Sequence, residues 1–407
     1  MTSLPHLLEQ SREQLLAIAT ERGIEILPHL EHDELVAKIV RDLLEKDEQL
    51  TTDGVLAVLP DGFGFVRMLS HSFAATAVDA YVSASQVRSL NLRSGHRIRG
   101  PLRAPRGTEN FFALLHVDYV QDAKPEELRY VTVFEARTAI VATRELPWCP
   151  KDSDDRTLRA LQILAPIRFG HRALLHAPAN WPRARLLARI AASLRQQQAD
   201  LDITVCLLDQ RPEDITSIRS TLAELRCDVF STAFAARPDG QVMVADMALQ
   251  RAMRQVEHGR DAVLLVDSLT ALTRARSRSS APSGAWIQPG LDAQAILTAK
   301  QLFAHAQQCA EGGSLTILAT VVAGQPGTID DTIEREFATY TNSDLVITDK
   351  TTTHDSDVLP FDPIATRTRP EDDATPPAER ARLQQLRACR VASRATDRRF
   401  ARDLSER

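Results

Sequence analysis

Phe63 and Phe65 sit two residues apart, each preceded by a glycine, Gly62 and Gly64. On a β-strand that spacing turns both rings to one face, and neighbours without side chains leave the ring faces open. Such a platform stacks the bases of single-stranded RNA, at about 1–3 kcal/mol per base. Seven of the twenty aromatic residues fall between positions 63 and 119: Phe63, Phe65, Phe73, Tyr81, Phe111, Phe112 and Tyr119. Close by run six arginines with no acidic residue among them, Arg88, Arg93, Arg97, Arg99, Arg103 and Arg106. They read as a local positive patch that phosphates would favour and salt would weaken. The competing reading makes the rings barrel core and the arginines a solvated face. The glycines and the arginine run together favour RNA.

Stepping along the chain, leucines, isoleucines and valines recur every three or four residues from Leu4 to Leu44, with breaks at Gly23 and Pro28. That pattern predicts a small helical domain over residues 1–50. Over 51–120 short apolar runs alternate with turn signals at Asp53-Gly54, Asp61-Gly62 and Ser94-Gly95, which predicts a small β-barrel. Residues 121–165 read as a connector. Over 166–365 strand candidates (Ala173–His176, Ile203–Leu208, Val229–Thr232, Ala262–Val266, Leu315–Val321) alternate with helical stretches (Arg183–Gln198, Glu213–Leu225, Val242–His258, Asp292–Ala310). Strands alternating with helices predict an α/β domain built on a parallel sheet. Residues 366–407 form a charged tail, disordered or holding one exposed helix near 378–392.

Composition excludes several classes. The 407 residues suggest two to four domains. The net charge of −5 announces no nucleic-acid binder, although an average hides local patches. Arginine dominates, since only six of the 49 basic residues are lysine. The five cysteines, Cys149, Cys206, Cys227, Cys309 and Cys389, are scattered without a CxxC pair, against a zinc or redox motif and in keeping with a reducing cytoplasm. No signal peptide is visible, and no apolar run approaches the ~18 residues of a membrane span.

The segments Asp61-Gly62-Phe63-Gly64-Phe65-Val66-Arg67, Tyr81-Val82-Ser83-Ala84-Ser85-Gln86 and Asn91-Leu92-Arg93-Ser94-Gly95 closely resemble the Rho family of bacterial transcription termination factors. The resemblance extends over nearly the whole chain. It implies a helical N-terminal domain, a cold-shock/OB-like RNA-binding barrel, a RecA-like ATPase domain and a hexameric ring. It also implies a primary RNA site at Phe63, Phe65, Arg67, Tyr81, Glu109 and Phe111.

The same resemblance implies a phosphate loop between the first RecA strand and its helix. Here that segment is His176-Ala177-Pro178-Ala179-Asn180-Trp181-Pro182-Arg183-Ala184-Arg185, and it holds no glycine in a chain that has only 16. Pro182 replaces a glycine and has no N–H for a phosphate. Trp181 adds bulk. Arg183 stands for the lysine, as a wide planar fork in place of a compact ammonium. Ala184 stands for the threonine whose hydroxyl would hold magnesium. Gln210 takes the place of the catalytic glutamate and cannot accept a proton. Asp349 takes that of the arginine finger, a group that contributes ~10³–10⁵ in rate. Asp267, ending the apolar run Asp261–Val266, matches the Walker B aspartate. It reads either as a metal ligand or as a relic in a local hydrogen-bond network. Phe337 matches an adenine-stacking aromatic, which leaves residual ATP and magnesium binding open. Of the family's two central RNA-gripping loops, Ser283–Ala293 keeps Gly290-Leu291-Asp292-Ala293, whereas Gly324–Asp330 has Thr328 in place of a lysine.

The expectation is therefore a Rho-like RNA-binding protein unable to hydrolyse ATP. Its partners would be single-stranded RNA and authentic Rho subunits in a mixed ring, or further copies of itself, and no membrane. An active RNA-dependent ATPase, and a plain RNA-binding module on an inert scaffold, are the alternatives.

Overall fold

The computed structural model describes residues 2–26, 29–150, 153–347 and 361–369, with the single positions 381 and 384. The chain divides into two compact units, Met1–Phe134 with Leu249–His258, and Glu135–Ala248 with Gly259–Arg407.

The first unit opens with a short strand β1 (Thr2–Ser3) and helices α1 (Leu4–Leu8), α2 (Arg12–Glu21) and α3 (His32–Glu45). Ser11 starts α2 with a capping box shared with Gln14. Leu4, Leu15, Leu35, Val36, Ile39 and Val40 are fully buried. Their faces share one core with the barrel that follows. That barrel comprises β2 (Leu50–Val58), β3 (Gly64–Arg67), β4 (Ala80–Val82), a helix α4 (Ala84–Ser89), β5 (Arg97–Arg103), β6 (Phe112–Leu114) and β7 (Tyr119–Val120). The order β2-β3-β4-β6-β5 closes because β5 also pairs with β2.

Asp53-Gly54, expected as a turn, lies inside β2 instead. A Cβ at Gly54 would stand 2.6 Å from the Arg67 carbonyl oxygen, so this glycine serves the close approach of two strands. The other two signals are turns, with Gly62 at φ +85° and Gly95 at φ +90°.

The second unit contains β8 (Ala139–Ile140), α5 (Arg156–Leu164), β9 (Arg172–Ala177), α6 (Arg183–Gln197), β10 (Asp202–Gln210), α7 (Pro212–Ala223) and β11 (Asp228–Ala233). After α8 (Pro238–Glu257), whose residues from Leu249 count with the first unit, come β12 (Asp261–Asp267) and α9 (Leu269–Ser279). A hairpin β13 (Trp286–Gln288) and β14 (Leu291–Asp292) leads into α10 (Ala293–Ala304), β15 (Gln307–Cys309), β16 (Ser314–Val322), α11 (Ile329–Ala338), β17 (Ser343–Val346) and β18 (Arg367–Thr368). The sheet order is β11-β10-β12-β16-β9-β17-β18. It is parallel from β11 to β17, as strands joined by helical crossovers must be.

The sequence reading named neither the hairpin β13–β14, α9 and α11 nor the parallel strand β17, and three further elements differ from it. Helix α5 lies within the stretch read as connector; Asp155 caps it, and Leu158, Leu161 and Leu164 form its buried face. The helix expected to reach residue 310 stops at Ala304, because Gln307 and Gln308 pair antiparallel with β16 around Gly312 and Gly313, both at positive φ. Residues 367–368, read as the start of the tail, form β18 against β17. The helix expected near 378–392 lies outside the described residues, the two single positions apart. No helix among the described residues is long and apolar enough to cross a membrane.

Candidate functional site

Two places carry side chains suited to ligands: one face of the barrel, and the C-terminal edge of the parallel sheet.

On the barrel, the Leu59–Phe63 turn is closed by Leu59 N–H donating to Phe63 O at 2.8 Å and Gly62 N–H to Leu59 O at 2.9 Å. This turn delivers Phe63 beside β3. A Cβ on Gly64 would stand 2.7 Å from the Ala57 carbonyl oxygen, so glycine is needed there for strand pairing. In the β3–β4 register Phe65 lies opposite Tyr81. Ser83 caps α4 directly after β4, and the Gln86 side chain donates to the Leu114 and Leu115 carbonyls, both at 3.2 Å, which fixes β4 beside β6.

The rings gather. Phe63 lies 5.9 Å from Phe65 and 5.5 Å from Tyr81 between centroids, Phe65 lies 6.0 Å from Tyr81, and Phe111 lies 4.9 Å from Phe65. The first three are half-buried and Phe111 is 45% exposed. A contiguous group of partly open rings can stack bases. By contrast, Phe73 and Phe112 are buried in the core. Tyr119 lies apart, with the Lys124 ammonium 4.3 Å and the Arg99 guanidinium 5.9 Å from its centroid.

The remaining predicted RNA residues occupy different surroundings. Arg67 is buried; its Nη1 donates to Phe73 O at 2.8 Å and its Nε lies 3.4 Å from Asp79. Its guanidinium is thus engaged within the barrel, beside the rings' strand. Burial pushes the Asp79 carboxyl up, against the hydrogen bonds from Thr76 and the charge of Arg67. Glu109 is held down to about 2 by hydrogen bonds from Arg103, at 2.5 and 2.9 Å, and from the Arg106 N–H.

The arginine run is less of a patch than its sequence suggests. Arg97 and Arg99 both bind Asp53 on β2, Arg93 binds Glu257 at 2.6 Å, and Arg103 binds Glu109. Glu109 is six positions from Arg103, but the partners of Arg93, Arg97 and Arg99 lie 44 to 164 positions away, which no local reading of charge reveals. Among the described residues, no carboxylate pairs with Arg88 or Arg106.

At the sheet edge, β9 leads through the loop 178–182 into α6. No residue in that loop has positive φ. Trp181 N–H donates to Pro178 O at 3.1 Å and Arg183 N–H to Trp181 O at 2.8 Å, so the loop bonds to itself. The Arg183 guanidinium folds back over it. Nη1 donates to the Pro178 and Ala179 carbonyls, both at 3.0 Å, and Nε to Asp267 Oδ1 at 3.1 Å. Asp267 also accepts from Thr320 Oγ1 at 2.5 Å on Oδ1 and from Gln210 Nε2 at 3.2 Å on Oδ2. Gln210 donates to Leu208 O as well. The sequence thus supplied Arg183, Gln210 and Asp267, and the fold brings all three together. It did not supply Thr320, one of two threonines within a strand read as apolar.

A magnesium nucleotide requires free N–H groups around the phosphates and open carboxylate and hydroxyl oxygens for the metal. The residues present do not fit: Pro182 has no N–H, two neighbouring N–H groups are engaged, Ala184 has no hydroxyl, and Asp267 faces a guanidinium. Phe337 corrects an expectation, because it is fully buried against Phe303 with centroids 6.0 Å apart and offers no face to a base. Asp349 lies outside the described residues. Thr328 acts as a helix cap, accepting from Asp331 N–H at 3.3 Å at the start of α11.

Next to this loop, His176 near the end of β9 sits between Glu334 on α11, at 2.8 Å from Nδ1, and Asp344 on β17, at 3.3 Å from Nε2. Burial pulls its pKa down, but the two carboxylates outweigh it and raise it to about 9. Glu334 also accepts from the Gly324 N–H at 3.0 Å.

Comparison with known proteins agrees with this division. Residues 52–126 match the family described as Rho termination factor, RNA-binding domain. Residues 157–360 match the ATP synthase alpha/beta family, nucleotide-binding domain. Transcription termination factor Rho of Neisseria gonorrhoeae is 37% identical over 334 residues, 82% of this chain and 79% of that protein. The Rho of Bacillus subtilis is 35% identical over 344 residues, 84% of this chain and 79% of its own. Among solved structures, a prototypical type III secretion ATPase superposes with a TM-score of 0.52 at 16% identity, covering 72% of this chain and 82% of that one. The ATP synthase subunit NeqB of Nanoarcheaum equitans gives 0.53 at 14%, covering 72% and 66%. These two likenesses concern the fold alone.

Proposed function

From the premise that this chain belongs to the Rho family of transcription termination factors, we propose that it binds single-stranded RNA through its barrel without hydrolysing ATP. It acts as a regulator of termination, entering mixed rings with authentic Rho.

The observation that carries this reading is the loop 178–182. Phosphate binding by such a loop uses backbone N–H groups aimed outward. Here Trp181 and Arg183 aim theirs at the loop's own carbonyls, and Pro182 has none. Gln210 adds a second deficit, because an amide can orient a water but cannot take its proton. The barrel supports the other half of the reading, since its ring cluster is assembled and partly open.

A subunit that binds RNA but cannot turn over would stall a ring whose subunits fire in sequence. Adding the purified protein to authentic Rho on a Rho-dependent template tests this. Readthrough should rise in proportion to the fraction of this chain, and the two proteins should co-elute in one assembly. Unchanged termination with separate elution removes the mixed-ring role. It would leave a plain RNA-binding module, whose RNA affinity should not depend on association with Rho.

A further inference from the structure

We infer that Arg183 is a built-in substitute for the metal of a nucleotide complex, so that the second unit completes its own pocket and takes no divalent cation there. The inference rests on the reading of a non-hydrolysing pocket and adds what fills it.

The Asp267 side chain is 2% exposed and that of Arg183 14%. A carboxylate so buried is costly unless a cation stands beside it. Thr320 and Gln210 are neutral donors, so they satisfy lone pairs without cancelling charge. Arg183 supplies the cation at 3.1 Å. It also bonds the Pro178 and Ala179 carbonyls, thereby tying the loop after β9 to the end of β12. Through Asp267 the tie reaches Gln210 on β10 and Thr320 on β16. One guanidinium therefore links the ends of four neighbouring sheet elements, as a metal bound between loop and carboxylate would. A planar fork with several N–H donors suits this bridging, where a lysine could make only a point contact. The consequence is a unit whose arrangement does not depend on nucleotide or magnesium, and which enters an assembly in one fixed state.

The probe is manganese alone, without nucleotide, followed by thermal unfolding and by the manganese resonance spectrum. Wild-type protein should melt at the same temperature with or without the ion and bind none at this site. Arg183→Met keeps the apolar stem and removes the cation; it should melt lower by on the order of 5–15 °C. Manganese should restore part of that loss, and Asp267→Asn in the same chain should abolish the restoration. Arg183→Lys retains the charge; it should lose less and remain insensitive to manganese. It stands in should Arg183→Met not fold. Manganese stabilising the wild type through Asp267 would overturn the inference, as would Arg183→Met melting like wild type. Destabilisation without restoration would make Arg183 a packing residue and overturn it too. None of these outcomes touches the loss of hydrolysis, which also follows from Pro182, Ala184 and Gln210.

Discussion

The barrel face and the sheet edge pose the same structural problem, a tight loop beside a strand end that must meet a flat or charged ligand. They solve it in opposite ways. At the barrel, Gly62 makes the turn at φ +85° and Gly64 lets β3 lie against β2, so the ring faces stay partly open. At the sheet edge no glycine remains between Pro178 and Arg185, and Trp181, Pro182 and Arg183 fill or engage the groups a ligand would use. The two loops thus differ in what they leave open: ring faces at one, and few unengaged groups at the other.

The sharpest way to break the contrast is to remove the rings. Phe63→Ala with Phe65→Ala should weaken binding of single-stranded RNA by about 30-fold or more, since each stacked base contributes ~1–3 kcal/mol. Fluorescence anisotropy reads this directly, and unchanged affinity would make the rings mere core.

The next effect tests how the sheet edge is held. His176 has its pKa raised from 6.5 to about 9. A raised value means that the stabilisation is complete below pH 6.5, declines as the pH rises and is gone above about 9. Glu334 on α11 and Asp344 on β17 are the carboxylates facing it. The size is on the order of 3 kcal/mol. Thermal melts of wild type should fall between pH 6.5 and 9, and His176→Gln should flatten that dependence.

A smaller effect concerns salt. If only Arg88 and Arg106 are available for phosphates, log affinity against log salt should have a slope of about −1.4. A slope near −4 would mean that the paired arginines exchange carboxylates for RNA. The smallest effect is expected at Arg103. Because it is bound to Glu109, Arg103→Ala should change RNA affinity by less than about threefold, in keeping with a partly exposed ion pair.

Much of this fold is legible in the sequence because its patterns are local. Apolar spacing of three and four marks the N-terminal helices, and alternating strand and helix stretches mark five strands of the parallel sheet to within a few residues, while the short strand β17 escapes notice. Gly62-Phe63-Gly64-Phe65 points to the ring platform through its two-residue repeat, although Phe63 itself lies in the turn just before β3. What the sequence hides is tertiary. Asp53 reads as a turn residue but anchors Arg97 and Arg99 across the barrel. Arg67 resembles an RNA contact but lies buried beside Asp79. Phe337 resembles a base platform but is core. At the sheet edge the changed residue types are visible singly, yet that Arg183, Gln210 and Thr320 converge on Asp267 follows only from parallel strands placing their ends side by side.

The central claim is that RNA recognition persists where the ATP cycle does not. Its most direct test measures ATP hydrolysis at saturating RNA, in a sample whose RNA binding has been verified by anisotropy. The account predicts RNA binding with no hydrolysis above background, and no change on Asp267→Ala. RNA-stimulated hydrolysis abolished by Asp267→Ala would contradict it.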